Sequence, residues 1–334
     1  MPQGPAMLGD EAEVGLPRPG TVRAAVPDPA AVRRRHPDEP RVALAMAAMP
    51  PINYGVGSWI ERRARIGPGQ LALVGDDRSF TYAELSQRVR RLANGLQRLG
   101  VGRGDRVAWL GPNHPAFLEA LFASGLIGAA LAPVNHRLAA EGIRVVLDDI
   151  EPTVLIQHAA TDPTPVEDSV RQRIAVAGPI EGALDFEALV VESPDDPVEV
   201  AVGMDDVCLL PHTSGTTGPP KGVMLTHANL TWNVINLLTC ADIRGDDVAV
   251  AIAPFFRIGG TGVNVLPVLF LGGTVVPSDL RPAGILQAME RHRVTVGFGN
   301  PDLLEALARS EAWPQVDLSS VRFVSPAALR CRND

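Results

Sequence analysis

The sequence predicts an α/β protein with two mostly parallel sheet subdomains covered by helices. Three observations predict it. Short, nearly all-apolar runs alternate with helical patterns, as in strands buried on both faces. The runs fall into two series separated by a proline-rich, acidic stretch at about 159–203. A chain of 334 residues, 46 % hydrophobic and 20 % charged, suits a packed core and about two domains of roughly 150 residues each.

The elements follow in order. Residues 1–50 are crowded with Pro, Ala, Gly and Arg and read as a loose leader. Leu71–Val74 reads as a strand, Gly75-Asp76-Asp77 as a turn and Ser79–Thr81 as the returning strand. Thr81 and Glu84 have capping-box spacing. Leu85, Val89, Leu92, Leu96 and Leu99 then recur every three to four residues as one helical stripe, stopped by Gly100. Arg88, Arg90, Arg91 and Arg98 are expected on or beside the solvated side of that helix.

Further along, 106–110 reads as a strand, 115–124 as a helix opened by proline, 129–134 as a strand, 139–149 as a helix and 153–157 as a strand. Residues 159–203 are expected to form a surface excursion. The second series has strands at 207–210, 248–253, 274–276, 294–298 and 321–324, and helices from about Thr226, at 283–292 and at 301–308. The two units are thus placed at about 71–200 and 204–325.

Composition narrows the function. The formal charge of −8 and only 4 % aromatic residues argue against nucleic-acid binding. Cys208, Cys240 and Cys331 are far apart and lack Cys-x-x-Cys spacing, which argues against a disulfide scaffold or zinc site and suits a reducing compartment. The seven histidines form no short-range ligand motif, so no metal site is predicted. Residues 258–278 are uncharged but interrupted by glycines and Pro267, so a buried helix running through a glycine turn into a strand is expected rather than an integral membrane segment. With no signal-peptide order at the N-terminus, the expected location is cytoplasmic.

The most specific stretch is Thr-Ser-Gly-Thr-Thr-Gly-Pro-Pro-Lys-Gly at 213–222. Gly215, Gly218 and Gly222 let the backbone turn and present amides to an anion. Thr213, Ser214, Thr216 and Thr217 add hydroxyls. Lys221, the only lysine in the chain, adds a point charge suited to phosphate. Gly222 stands where a Walker loop would need Ser or Thr, so a P-loop kinase or GTPase is disfavoured. His212, just before the loop, is expected to pack or cap.

This stretch resembles the phosphate loop of the acyl-adenylate-forming enzymes: acyl-CoA synthetases, luciferases and peptide-synthetase adenylation domains. The resemblance extends to Phe80-Thr-Tyr-Ala-Glu-Leu85, Gly104-Asp-Arg-Val107, Pro133-Val-Asn-His-Arg-Leu138, Pro254-Phe-Phe-Arg-Ile-Gly-Gly260, Gly272-Gly-Thr-Val-Val276 and Asp317-Leu-Ser-Ser-Val-Arg322. It covers about residues 55–324 and points to the acyl-CoA synthetase branch. It implies ATP-dependent activation of a fatty or related carboxylic acid to acyl-AMP and then acyl-CoA, with ATP, Mg2+ and CoA. It also implies that Thr213, Ser214, Gly215, Thr216, Thr217, Gly218, Lys221 and Gly222 hold the nucleotide phosphates, with Lys221 and Thr217 as catalytic groups.

By the same resemblance, Arg257, Gly259 and Gly260 are acyl-pocket candidates, and Arg257 replaces the histidine common in that branch. Arg257 is read as pairing a polar or dicarboxylic substrate, as narrowing or disabling the pocket, or as satisfied by a neighbouring acid. The family's Gly-Gly-Ala-Pro and Tyr-Gly-x-Thr-Glu motifs, with the magnesium-binding glutamate, are not found, nor is a C-terminal lid domain with its adenylation lysine. Residues 51–334 are therefore expected to be a partial AMP-binding domain, impaired or inactive, with possible self-association through uncovered surface. The alternative is a non-catalytic pseudoenzyme that binds a nucleotide or a partner.

Overall fold

The computed structural model describes residues 52–326 apart from 76–77, 162–169, 171, 214–219, 264 and 279. The expected leader and most of the glycine-rich loop lie outside the described residues, as do Asp76 and Asp77 of the first turn. Helix α1 (Ser58–Ile66) precedes the β1–β2 hairpin (Leu71–Val74, Ser79–Thr81), whose strands pair antiparallel. Helix α2 (Tyr82–Arg98) then starts at the predicted capping box. Glu84 N donates to Thr81 Oγ1 at 3.3 Å, and Thr81 N donates to Glu84 Oε2 at 2.8 Å. Such a cap contributes about 1 kcal/mol. Leu85, Val89, Leu92 and Leu96 are buried along its predicted stripe, and Gly100 leaves the helix at φ +86°.

Strand β3 (Arg106–Leu110) leads into α3 (Pro115–Ile127), which is apolar all round except at Glu119 and Ser124 and is buried from Ala116 to its end. β4 (Ala130–Val134), α4 (Ala140–Ile150) and β5 (Val154–His158) follow within a residue or two of expectation. The stretch 159–203 is not the expected surface excursion. It supplies β6 (Arg173–Val176), β7 (Leu184–Asp185) and α5 (Phe186–Glu192), which extend the first sheet. Alternating Ile174 and Val176 join the main core, so burial overrides the weak local pattern.

The second series comprises β8 (Val207–Leu209), β9 (His212–Thr213), β10 (Lys221–Gly222), β11 (Leu225–Thr226) and α6 (His227–Cys240). Next come β12 (Val248–Ala251), α7 (Ile258–Gly262), α8 (Leu266–Leu271) and β13 (Thr274–Pro277). The chain ends its described course with α9 (Pro282–Arg291), β14 (Val296–Gly299), α10 (Pro301–Ala308) and β15 (Phe323–Pro326). The apolar stretch at 258–278 is thus two short helices rather than one. Gly272, at φ +100°, ends the second and turns the chain into β13. No helix among the described residues is long and apolar enough to cross a membrane.

The larger sheets run in the orders β11-β8-β4-β3-β5-β6-β7 and β15-β14-β12-β13-β1-β2. Their inner pairs are parallel, with antiparallel β11 and β2 at the edges. Sheet membership crosses the expected division of the chain: β1–β2 belong with the later strands, and β8 and β11 with the earlier ones. Strand alternation directs the faces. Val107 and Trp109 share a core with α2, α3, Leu73 and Val275, whereas Ala108 and Leu110 pack on α4. On the second sheet Val250 and Ile252 pack on α9 and Leu307 of α10. Helices α2 and α3 therefore contribute to a core shared by both sheets.

One expectation about α2 is corrected here. The Arg88 side chain is only 12 % exposed and reaches Glu119 Oε2 at 2.7 Å and Glu187 Oε1 at 2.8 Å. It turns inward because α3 buries Glu119 to 2 % exposure, and a buried carboxyl needs a partner. Burial raises the Glu119 pKa, an effect opposed by Arg88. Burial alone would also raise Glu187, but hydrogen bonds from Arg88 and Arg78 bring it below the usual carboxylate value. Arg90 likewise pairs with Asp195 at 2.8 Å.

Candidate functional site

The ends of the glycine-rich loop form a two-stranded ladder. Lys221 pairs with Thr213 and Gly222 with His212, so the loop leaves and re-enters the structure at one point. Directly opposite residues of an antiparallel pair project from the same face. The sole lysine and the first hydroxyl of the loop therefore stand side by side, both exposed. Thr213 Oγ1 donates to Lys221 O at 3.4 Å, and Val223 N donates to Pro211 O at 2.8 Å. Ser214, Gly215, Thr216, Thr217 and Gly218 lie outside the described residues.

The base of this hairpin is fixed from the side. His212 Nε2 lies 3.0 Å from Asp149 Oδ2, near the end of α4. The His212 side chain is only 7 % exposed, and its Nδ1 is buried without a partner among the described residues. With a carboxylate facing Nε2, that nitrogen carries the proton in the neutral ring. The ring bridges the hairpin to α4, a packing and pairing role. A Cβ on Gly222 would come within 3.3 Å of the same imidazole, so the small residue lets the ladder close over His212.

The loop after β12 holds the acyl-pocket candidates. Arg257 is exposed and precedes α7, and its side chain has no ion-pair partner among the described residues. The option of an arginine neutralised by a neighbouring acid therefore has no support in the described contacts. Gly259 faces open space, whereas Gly260 is buried in the turn. Between Arg257 and β12, Phe255 stacks on Phe117 at 4.9 Å, and Phe256 meets His136 edge-on at 5.5 Å. The Arg137 guanidinium lies 5.8 Å from the Phe256 ring centroid. Burial and the neighbouring Arg137 charge lower the His136 pKa, which keeps that ring neutral near pH 7. The sequence stretches 133–138 and 254–260 are thereby brought together. Nothing in their spacing signalled this contact, because they lie on different sheets.

A hydroxyl beside an exposed ammonium suits a phosphate. No group of three or more His, Cys, Asp or Glu among the described residues is placed to hold a metal ion, so no step is assigned to magnesium.

An α/β protein with a lysine-bearing hairpin beside a parallel sheet is the class that fold and site define. A family model described as "AMP-binding enzyme" matches residues 60–331, and the chain belongs to that family. It is 45 % identical over 272 residues to a feruloyl-CoA synthase of Amycolatopsis sp, covering 81 % of this chain and 53 % of that protein. It is 35 % identical over 276 residues to an indoleacetate–CoA ligase of Aromatoleum aromaticum, with coverages of 81 % and 54 %. A crystal structure of the anthranilate CoA ligase AuaEII in complex with anthranoyl-AMP aligns with a TM-score of 0.77 at 26 % identity, over 83 % of this chain and 55 % of that one. The chain thus spans about half the length of the curated relatives it matches.

Proposed function

We propose that the chain holds the phosphates of ATP on the 213–222 hairpin and a carboxylic acid beside the 254–260 loop, for activation of the acid to acyl-AMP and then acyl-CoA. The observation that carries this reading is the pairing of Lys221 with Thr213. It sets the only lysine in the chain at the mouth of a loop rich in hydroxyls and glycines. Charge that builds on the phosphates as a carboxylate attacks would be offset there by the ammonium and the hydroxyls. An aromatic acid is the first class to test, because the relatives at 45 % and 35 % identity are named for ferulate and indoleacetate.

ATP binding by the 334-residue polypeptide and its Lys221→Ala variant tests the phosphate assignment. The expected loss is about tenfold or more, since hydrogen bonds from a charged group contribute about 1.5–3 kcal/mol. Equal affinity in the two proteins would overturn it. Pyrophosphate release and thioester formation are then measured with ferulate, 4-coumarate, indoleacetate, benzoate and a fatty acid. The resemblance implies a second lysine for adenylation, and these residues hold one. Acid-dependent turnover by this polypeptide is therefore proposed to be impaired. Brisk turnover would sink that part, whereas ATP binding with no acid binding would favour the non-catalytic reading.

A further inference from the structure

Asn113 lies on the loop between β3 and α3, in the first sheet's half of the structure. Its carboxamide is used in full on the chain that leaves β12 in the other sheet. Asn113 Nδ2 donates to Ala251 O at 3.3 Å and to Ala253 O at 3.0 Å, while Asn113 Oδ1 accepts from Phe255 N at 2.8 Å. Asparagine suits this place because one planar group must both donate and accept. Aspartate would turn an acceptor toward two carbonyls, and leucine would take this partner from the Ala253 carbonyl and the Phe255 amide, while Ala251 O would keep Ser278 Oγ at 3.1 Å. Phe117, four residues on, stacks against Phe255 and closes the same anchor. Beyond it the chain reaches Arg257, whose guanidinium is exposed and has no ion-pair partner among the described residues.

We propose that Asn113 is a positioning residue for acid binding: it holds residues 251–255 so that Arg257 and the turn after it meet the acid in a fixed geometry. This inference rests on the reading of the 254–260 loop as the acid-binding side. Asn113 itself touches neither ATP nor acid. Its effect travels through two peptide units, and small displacements of a binding group are costly.

The test uses the full 334-residue chain with Asn113→Ala and Asn113→Asp. Hydrogen exchange at the Phe255 amide is read together with affinities for ferulate and for ATP. Loss of the Oδ1 acceptor in Asn113→Ala should speed exchange at Phe255 by about tenfold or more. Asn113→Asp keeps that acceptor and should protect the amide better. Both variants should bind ferulate about tenfold more weakly, equivalent to one or two hydrogen bonds, with ATP affinity within about twofold of the parent. A general folding defect would weaken both ligands and speed exchange across β12, which would overturn the proposal. So would unchanged ferulate affinity with a faster Phe255 amide, and the reading of the loop would then survive. If the parent binds neither ferulate nor any other acid of the panel, that reading falls and this inference with it.

Discussion

Gly260 faces the carbonyl of Pro254 so closely that a Cβ built on it would stand 2.2 Å from that oxygen. The turn that carries Arg257 is closed by this approach, with Arg257 N donating to Pro254 O at 3.0 Å. Its neighbour Gly259 would meet nothing within 4 Å. The two glycines, both acyl-pocket candidates, are therefore physically unlike.

Gly260→Ala must displace backbone and should cost about 1–3 kcal/mol, as overpacking does. Gly259→Ala, in the short helix α7, should be neutral or stabilising by up to about 1 kcal/mol. Urea unfolding of the two variants checks this. A Gly260→Ala protein as stable as its parent would show that the turn relaxes freely.

The His212–Asp149 pair makes a different prediction, because Asp149 is 56 % exposed. A pair whose carboxylate stays open to water contributes about 0–1 kcal/mol, so Asp149→Ala should barely shift the unfolding midpoint. It should nevertheless weaken ATP binding by about three- to tenfold, the cost of ordering a hairpin whose base is no longer tied. Calorimetric titration with ATP gives the answer, and parental affinity would remove His212 from the argument.

Arg88 and Glu119 should behave as a buried pair. Arg88→Met leaves a carboxyl at 2 % exposure without its cation and should cost about 3–5 kcal/mol. Replacing both residues with apolar ones of similar size should recover most of that loss. A chemical denaturation series on the single and double variants reads the difference. A cost below about 1 kcal/mol for the single variant would mean that water or Arg78 takes over.

His227, fully buried at the start of α6, should make the protein sensitive to acid. Its Nδ1 accepts from Val56 N at 3.0 Å, and burial pushes its pKa down to about 4 despite the nearby Asp206 charge. The unfolded chain, near the ordinary value of about 6.5, then binds more protons between those two values. Stability is therefore retained above about pH 6.5 and lost as pH falls toward 4. Between pH 7 and 5 the loss from this group is about 2 kcal/mol. His227→Gln, which keeps an acceptor for the Val56 amide, should flatten that part of the profile. An unchanged pH slope in the variant would assign the sensitivity to other groups.

Much of the local structure was legible in the residues. The Thr81–Glu84 box, the stripe from Leu85 to Leu96 and Pro115 at the start of α3 report steric and hydrogen-bond preferences within a few residues. They located most of the described helices and strands within one to three positions. The segments that were missed have weak local signals. Residues 173–176 and 184–192 read as part of a loop because the prolines and acids in and around them masked two strands and a helix that only burial against the first sheet stabilises.

Taken alone, the sequence determined the α/β class, the order of most elements, the lone lysine of the glycine-rich loop and the family resemblance. Each of these lies in a periodicity or motif of contiguous residues. The tertiary structure decided which strands share a sheet, setting Leu73 beside Val275 although they lie far apart in the chain. It also decided that Arg88 turns inward, that His212 ties to Asp149 and that Phe256 meets His136. Those outcomes depend on which surfaces exclude water together and on which buried polar groups must then find partners. Short-range patterns carry little information about either.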